Sequence, residues 1–569
     1  MNSSEKKNTK IKGSEALMLS LLEENVTTVF GYPGGQIIPT YDALFHYKDK
    51  IRHLLTRHEQ GAIHAAQGYA RVTGEVGVCI VTSGPGATNL ITGIADAMID
   101  STPIVCITGQ VASHLLGTDA FQETDVVGIS MPVTKWNCQI TKAEDVPEII
   151  AKAFYIARTG RPGPVLIDLT RNAQVGEMEY SYKKCNFIRS YVPKPQINAE
   201  KIKEAAQLIN KAQKPYALVG QGVILGNAET ELKTFIEKSG IPFAWTILGS
   251  TALPSDHPQN VGMLGMHGNY GPNIKTNECD LLIAIGMRFD DRVTGDLSRY
   301  ARQAKIIHLE IDNAEIDKNI KTDVAVLGDV KDSLPLLSKL VKKKKYPAWI
   351  KEFEDCYKYE YEKVIKNDLF PKKAGLKMGE VMELLNEKTD GEAIVVTDVG
   401  QHQMFAARYF KSKYTRTFVT SGGLGTMGFG LPAAFGAKIG APHRQVFLIV
   451  GDGGIQMTLQ ELGTIFQNKT DVKIIILNNN YLGMVRQWQE LFWDKRYSHT
   501  ELVNPDFIKV AEGFGIAGKK VSKREELSKT MDEMIKSKKA FLLDVTIDKE
   551  SNVFPMVPAG ASVSDVIFS

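Results

Sequence analysis

No apolar run in this chain approaches the ~20 residues that a membrane-spanning helix requires. The first dozen residues, MNSSEKKNTKIK, are polar and lack the apolar centre of a secretory signal. They read as a frayed tail, and a cytoplasmic location follows as the default expectation. Cysteine is scarce: there are six, at positions 79, 106, 138, 185, 279 and 356, with no CxxC pair. That argues against a zinc site, fits a reducing compartment, and leaves the three cysteines within apolar runs to be core residues. Net charge is nearly absent, +3 over 569 residues, so neither nucleic acid nor an anionic membrane is an expected partner. The lysine runs at 342–345 and 519–520 are short and read as solvated surface. Nothing resembles a Walker loop, a zinc motif or a Ser-His-Asp triad.

What is present is a soluble globular composition, 43% hydrophobic and 23% charged, on a chain long enough for three or four domains of ~150 residues. Short apolar runs alternate with helix-like stretches, the pattern of parallel α/β domains. The first such run covers residues 11–175. It has an amphipathic helix from Gly13, strands at 27–30, 77–81, 103–108 and 164–169, and a helix at 61–72. A polar connector leads to a second run at 196–340, with strands at 216–219, 281–285 and 305–309. A charged, aromatic linker at 341–375 precedes the third run at 376–550, with strands at 393–397, 446–450, 474–477 and 541–546. The tail, 551–569, reads as a flap. The fold class is therefore α/β, with three parallel-sheet domains. The first and third share a plan: strand, glycine-containing turn, helix, then a second glycine-rich turn opening a helix.

The most informative stretch is VGDGGIQMTLQELGTIFQNKTDVKIIILNNN, residues 450–480. One strand ends at Gly451-Asp452-Gly453-Gly454, and the next ends at Asn478-Asn479. Ligands of an open parallel sheet sit beyond the carboxyl ends of its strands, so Asp452 and Asn479, 27 positions later, come to one edge. A carboxylate and an amide carbonyl are hard oxygen donors suited to Mg²⁺, with phosphate completing the shell. Gly453 and Gly454 allow close backbone approach, and the helix after them points free N–H groups at an anion. Either half alone is an ordinary turn or loop; the pair at this spacing reads as a Mg²⁺-diphosphate anchor.

Other stretches carry competing readings. Gly423, Gly425 and Gly428 form a GxGxxG pattern after the strand-like 417–420, which imitates a dinucleotide fingerprint with Asp452 near the position of its ribose-binding acid. Asp452, however, precedes Gly-Gly and a helix, which suits metal and phosphate better. Met427 by itself reads as core filler. Glu59, in TRHEQGAIHAAQGYAR, is by position an acid at a helix start. Arg288, Asp290, Asp291 and Arg292 form either a surface ion-pair cluster or a ligand edge after Gly286. His267 and Trp488 have structural readings as a lone histidine and a core aromatic.

The stretches GYPGG (31–35), RHEQGA (57–62), TSGPGATN (82–89), GTDAFQE (117–123), GRPGPV (160–165), GMHG (265–268), RFDDRVTG (288–295), GDGG (451–454) and GMVRQWQ (483–489) together resemble one family. It is that of the acetohydroxyacid synthase (acetolactate synthase) catalytic subunits, within the thiamine diphosphate enzymes. The resemblance runs from about residue 13 to the tail NVFPMVPAGASVSDVI. It implies pyrimidine-binding, central FAD-binding and diphosphate-binding domains. It also implies decarboxylation of pyruvate and ligation of the hydroxyethyl group to a second 2-keto acid, in branched-chain amino-acid biosynthesis.

The resemblance further assigns Glu59 to cofactor activation, through a hydrogen bond to the aminopyrimidine in a water-poor pocket. Asp452, Asn479 and the Tyr481 carbonyl become Mg²⁺ ligands. Gly400, Gln401, His402, Gly425, Met427, Gly453, Gly454 and Met484 surround thiamine diphosphate, faced by Tyr32, Pro85, Asn89 and Gln122. Arg292 clamps the acceptor carboxylate, and Trp488 favours the larger acceptor. FAD without a redox role is expected on Arg161, Gly220, Gly222 and Thr246, on Leu264, Met266 and His267, and on Gly286, Arg288, Asp290 and Arg292. Glu310, Ile311 and Asp329 complete that set. A homodimer or tetramer of large subunits, with a small regulatory subunit, is implied. Three departures stand out: Gln36 for alanine, Arg171 for lysine, and Tyr481 for an often acidic residue whose backbone alone is needed. The first two put inhibitor sensitivity in question. The rival readings are a redox enzyme such as pyruvate oxidase, a FAD-free catabolic acetolactate synthase, and a non-catalytic nucleotide binder.

Overall fold

The computed structural model describes residues 10–372 and 375–569, so the expected N-terminal tail lies, through residue 9, outside the described residues. Three six-stranded sheets, every pairing parallel, account for the strand-and-helix alternation. The first holds β1 (Thr28–Tyr32), β2 (Arg52–Leu55), β3 (Gly77–Val81), β4 (Ile104–Gln110), β5 (Trp136–Ile140) and β6 (Pro164–Thr170). The second holds β7 (Pro215–Val219), β8 (Phe243–Trp245), β9 (Asn260–Met263), β10 (Leu281–Ile285), β11 (Lys305–Glu310) and β12 (Val324–Leu327). The third holds β13 (Ile394–Thr397), β14 (Phe418–Val419), β15 (Val446–Gly451), β16 (Val472–Asn478), β17 (Ala517–Val521) and β18 (Phe541–Thr546). The central strands are buried on both faces, as their continuous Val, Ile and Leu runs require.

Six helices carry or position the functional residues. They are α1 (Glu59–Thr73), α2 (Gln401–Tyr409), α3 (Gly430–Gly440), α4 (Asp452–Met457), α5 (Glu461–Gln467) and α6 (Gly483–Phe492). The chain forms two compact units that do not follow sequence order.

The first unit joins residues up to 192 with 423–441 and 458–470. Its core lies under the first sheet, where Leu17 and Leu21 of the Gly13–Glu23 helix meet Ile80, Val105 and Ile167. On the other face α1 packs along α3. Glycine makes this approach possible on both helices: a Cβ at Gly68 would sit 2.0 Å from the Ala433 carbonyl, and one at Gly436 would sit 1.8 Å from the Ala65 carbonyl. Phe30 and Phe435 meet edge to face at 6.2 Å. With a sheet on one side and a helix on the other, α1 has almost no exposed face, which its run of Ala and Gly accommodates.

The second unit joins 193–422, 442–457 and 471–569, and so contains the second and third sheets and the tail. The stretch expected to be a linker, 341–375, is mostly helical. Residues Pro347–Glu360, Tyr361–Ile365 and Lys366–Leu369 run on with one π-type segment between two α segments. Pro at the first helical position starts it, and Trp349 and Phe353 are buried, with Phe353 5.2 Å from Tyr216. In the sequence the charges between these apolar positions hide them. Cys79 and Cys106, within apolar runs, are buried, as is Cys279 between Glu278 and Asp280, and all six cysteines are free. The tail packs onto this unit: the Val557 amide donates to the Met266 carbonyl at 2.8 Å, and Gln487 Nε2 donates to the Val553 carbonyl at 3.1 Å. Among the described residues no helix is long and apolar enough to cross a membrane.

Candidate active site

Three groups of side chains gather at strand ends. In the first unit, β2 gives way to Thr56, Arg57 and His58, and α1 begins at Glu59. His58 caps the helix by accepting the Gln60 amide at 3.1 Å. Glu59 is buried, and its Oε2 accepts from Asn89 Nδ2 at 2.9 Å. Asn89, expected only to face a cofactor, thus orients the acid. Gly86 stands beside it: a Cβ there would meet Thr82 Cγ2 at 2.7 Å and lie 3.4 Å from Glu59 Oε1. Pro85 opens the short helix Pro85–Thr88 after Gly84, whose φ of +57° no larger residue adopts easily. Gln122 sits against Gly84, since a Cβ there would meet the Gln122 carbonyl at 2.9 Å. Tyr32 ends β1 and is exposed. Gly425 and Met427 also belong to this unit, in the turn before α3. Arg161 lies here too, with Nε donating to Ser101 Oγ at 2.8 Å.

In the second unit the register of the third sheet sets the next group. Thr397 pairs with Ile449, and Gly451 pairs with Leu477, so Asp398, Asp452 and Asn479 all come at one edge. Asp452 is buried, its Oδ2 accepts from Asn504 Nδ2 at 2.7 Å, and the Asn479 amide donates to it. Burial raises its acid to about 6 against these bonds. Asn479 Oδ1 accepts from the Tyr481 amide at 3.1 Å, which folds the Asn479–Tyr481 turn over the same edge. Gly454 allows α4 to approach the edge; a Cβ there would lie 2.5 Å from Asp398 Oδ1. Gly400 and Gly451 flank the His402 ring, at 2.9 and 3.0 Å from their Cβ positions. His402 is buried, burial lowers its pKa to about 3, and its Nε2 finds no partner among the described residues. Gln401 Nε2 donates to Gln487 Oε1 at 2.9 Å and to the Ser551 carbonyl at 3.0 Å, which ties α2, α6 and the tail together. Met484 and Trp488 lie half-buried on α6, and Trp488 packs 5.6 Å from Phe492.

Among the described residues no three His, Cys, Asp or Glu side chains are grouped to hold a metal. One carboxylate with amide and backbone oxygens can hold a cation only if another anion completes the shell. An orphaned buried imidazole nitrogen, glycines that a Cβ would block and the N-terminus of α4 fit a cation-bound diphosphate there.

The second sheet runs β9-β8-β7-β10-β11-β12, so its order reverses between β7 and β10. That switch point is where open α/β sheets bind ligands. The loops Gly220–Gly222 and Gly286 interlock there: a Cβ on Gly220 would lie 2.3 Å from the Gly286 carbonyl. Thr246 comes after β8, and Leu264, Met266 and His267 come after β9. His267 is half-buried, its Nδ1 is buried and unpartnered among the described residues, and desolvation lowers its pKa to about 3. Asp290 caps the next turn by accepting the Arg292 and Val293 amides at 3.1 and 3.2 Å. Arg288 approaches Asp290 only to 3.9 Å, and Arg292 lies exposed, 3.8 Å from Asp291. Loose ion pairs of this kind contribute little stability and leave the guanidinium groups available. Glu310 Oε1 accepts the Ile311 and Asp312 amides at 2.9 and 3.1 Å, and Asp329 accepts the Lys331 amide at 2.9 Å. Interlocked glycines, acids at strand ends and an orphaned imidazole fit a dinucleotide.

Sequence reasoning missed Asn504, Gln487, Asp398 and Glu461. Asn504 also donates to Asn478 Oδ1 and Asn480 Oδ1, at 3.2 and 3.0 Å. The Asn-Pro-Asp-Phe stretch at 504–507 reads as plain loop; only folding brings it to Asp452.

Comparison with known proteins covers the same ground. The family models described as the N-terminal TPP binding, central and C-terminal TPP binding domains of thiamine pyrophosphate enzymes match residues 11–129, 202–337 and 398–545. A probable acetolactate synthase large subunit of Methanocaldococcus jannaschii is 46% identical over 572 residues, covering 98% of this chain and 95% of the relative. The acetolactate synthase isozyme 2 large subunit of Escherichia coli is 44% identical over 560 residues, covering 98% and 99%. The acetolactate synthase large subunit of Corynebacterium glutamicum is 45% identical over 573 residues, covering 98% and 90%.

Proposed function

The chain belongs to the acetolactate synthase large-subunit family, and from that membership we propose how its residues divide the work of a thiamine diphosphate-dependent carboligase. Its substrates are pyruvate and a second 2-keto acid: pyruvate as acceptor yields 2-acetolactate, and 2-ketobutyrate yields 2-aceto-2-hydroxybutyrate. When bound, thiamine diphosphate would supply the carbon nucleophile needed for decarboxylation of pyruvate and for transfer of its two-carbon unit. The observation that carries the reading is Glu59: a buried carboxylate at a helix start, with one oxygen held by Asn89 and the other facing the side-chain-free Gly86. Glu59 Oε1 holds the proton of the cofactor's aminopyrimidine ring, and Asn89 keeps the carboxylate aimed.

Asp452, Asn479 and the Tyr481 carbonyl hold Mg²⁺, which carries the diphosphate. Gly400, Gln401, His402, Gly453 and Gly454 close around the phosphates, and Gly425, Met427, Met484, Tyr32, Pro85 and Gln122 bound the rest of the cofactor. Arg292, exposed and loosely paired, clamps the acceptor's carboxylate. Trp488 selects for the acceptor's extra methyl group, a discrimination of ~1–3 kcal/mol. FAD occupies the switch point of the second sheet through the loops after β7 to β12, with Arg161, and takes no net part in redox. The domains run 11–175, 196–340 and 376–550, with the 551–569 flap. The working assembly is at least a pair of large subunits, in which Glu59 of one copy serves the cation of the other, joined by a small regulatory subunit.

The test is acetolactate formation by the purified protein, with and without added thiamine diphosphate. Cofactor-dependent acetolactate without oxygen uptake is the expected result. Oxygen consumption with pyruvate would favour an oxidase, and a colourless protein would favour a FAD-free synthase.

A further inference from the structure

Glu461 has no part in the chemistry assigned to the cofactor and substrates, yet it is tied to Glu59. It opens α5, is buried, and reaches the turn ahead of α1. Its Oε1 and Oε2 accept from the Arg57 amide at 3.1 and 3.2 Å, and the His58 amide donates to it as well. Thr464 Oγ1 donates to Oε2 at 2.6 Å and fixes the carboxylate's rotation. An acid 404 positions further along the chain thus supplies the acceptor for the amides of the two residues just before Glu59. Gly61 is the opening through which it arrives, since a Cβ at 61 would lie 2.3 Å from Glu461 Oε1. The glycine in RHEQGA therefore has a stated purpose. Arg57 closes the contact from its own side, with its guanidinium donating to Gln467 Oε1 at 2.6 Å and to the Gly463 carbonyl at 3.4 Å.

The same device recurs in reverse. Asp100 Oδ1 accepts from the Gly423 amide at 2.7 Å, and Asp96 Oδ1 accepts from Thr426 Oγ1 at 2.8 Å. In each case an acid on the helical segment after the third strand of one sheet grips the turn after the second strand of the other. Both gripped turns carry residues assigned to the cofactor, Glu59 in one and Gly425 and Met427 in the other.

We infer that Glu461 is the positioning residue for Glu59: by holding the Arg57 and His58 amides it sets where the activating carboxylate stands, while Asn89 sets how that carboxylate is turned. The inference rests on the reading of Glu59 as the cofactor's activating acid. Burial lifts the Glu461 acid to about 7 in spite of the facing Arg57 guanidinium and the accepted bonds, so the contact is made at a desolvation cost that a merely space-filling side chain would avoid.

The test is hydrogen–deuterium exchange at the reactive carbon of bound thiamine diphosphate, followed by NMR after acid quench with no substrate present. Cofactor affinity and thermal midpoint are measured alongside. In Glu461→Gln the exchange is expected to slow by about 10- to 100-fold, the effect of a small misplacement, with affinity and midpoint close to the parent's. Thr464→Val, which frees the carboxylate's rotation, should slow it in the same direction by less. Exchange at the parental rate in folded Glu461→Gln overturns the inference. If that variant does not fold, Thr464→Val decides, and a parental rate there overturns it. Glu59→Gln is the control: lost exchange there upholds the assignment of Glu59 even if the Glu461 inference fails, whereas a parental rate overturns the assignment and the inference with it.

Discussion

The first sheet is ordered β2-β1-β3-β4-β6-β5, and the third, strand for strand, is ordered β14-β13-β15-β16-β18-β17. After the second strand of each comes a turn and then a helix, α1 in one and α3 in the other, and these two helices pack on each other through reciprocal glycines. After the third strand the sequences part. The first sheet has Thr82-Ser83-Gly84-Pro85, with no charge, and the third has Gly451-Asp452-Gly453-Gly454. The acid of the first sheet comes one turn earlier in the plan, at Glu59, where the third sheet has only the uncharged 420–428 stretch. One topology thus presents its acid on a different loop in each copy, and under the proposed function these acids take two tasks, proton handling in one and cation holding in the other. The difference lies in which loop received the carboxylate.

The largest expected effect tests the first half of that contrast. Glu59→Gln should lower acetolactate formation by about 10²- to 10⁴-fold, the range for a lost acid–base group, while thiamine diphosphate stays bound, as measured by isothermal titration. The second half is tested by Asp452→Ala. Its loss of thiamine diphosphate affinity at fixed Mg²⁺ should exceed the ~10- to 100-fold typical of an outer partner of a metal, whereas Asn504→Ala, an outer partner, should fall within that range. Flavin absorbance should persist in both, since the second sheet is untouched. If Asp452→Ala instead kept the cofactor and abolished only turnover, the two sheets would not divide the work between them in this way.

A further comparison concerns pH. The Glu461 acid has an ordinary value of 4.5 and stands at about 7 in the fold. Between these values the folded state holds a proton that the unfolded state lacks, so stability falls as pH rises through the window, by about 3 kcal/mol in all. In Glu461→Gln that contribution should vanish, so the stability difference between parent and variant should change between about pH 5 and about pH 8 in urea denaturation. The smallest change is Gly436→Ala. Its new methyl group meets the Ala65 carbonyl and should cost about 1–3 kcal/mol of stability, read as a lower thermal midpoint, with little effect on the flavin binding proposed for the second sheet.

Central strands are legible in the sequence because burial on both faces leaves continuous apolar runs. Leu281–Ile285 and Phe541–Thr546 fall where those runs lie, and Gly77–Val81 likewise. Two of the edge strands are not. Trp136–Ile140 is mostly half-buried, and Ala517–Val521 carries Lys519 and Lys520 into solvent, so neither shows a run. The 341–375 stretch reads as a linker because its charges hide a helix that buries only a few positions. Side chains directly after central strands can be placed together, since a parallel register carries Asp452 and Asn479 to one edge. Glu461 and Asn504 cannot, because their partners lie 404 and 52 positions away and no local pattern marks the contact.

The pairing of α1 with α3 joins residues 59–73 to residues 430–440. During synthesis the earlier helix must therefore wait, with its small-residue face uncovered, until three quarters of the polypeptide has left the ribosome. A truncated product ending before residue 430 would expose that seam permanently, and a chaperone or a neighbouring nascent chain would be its only cover.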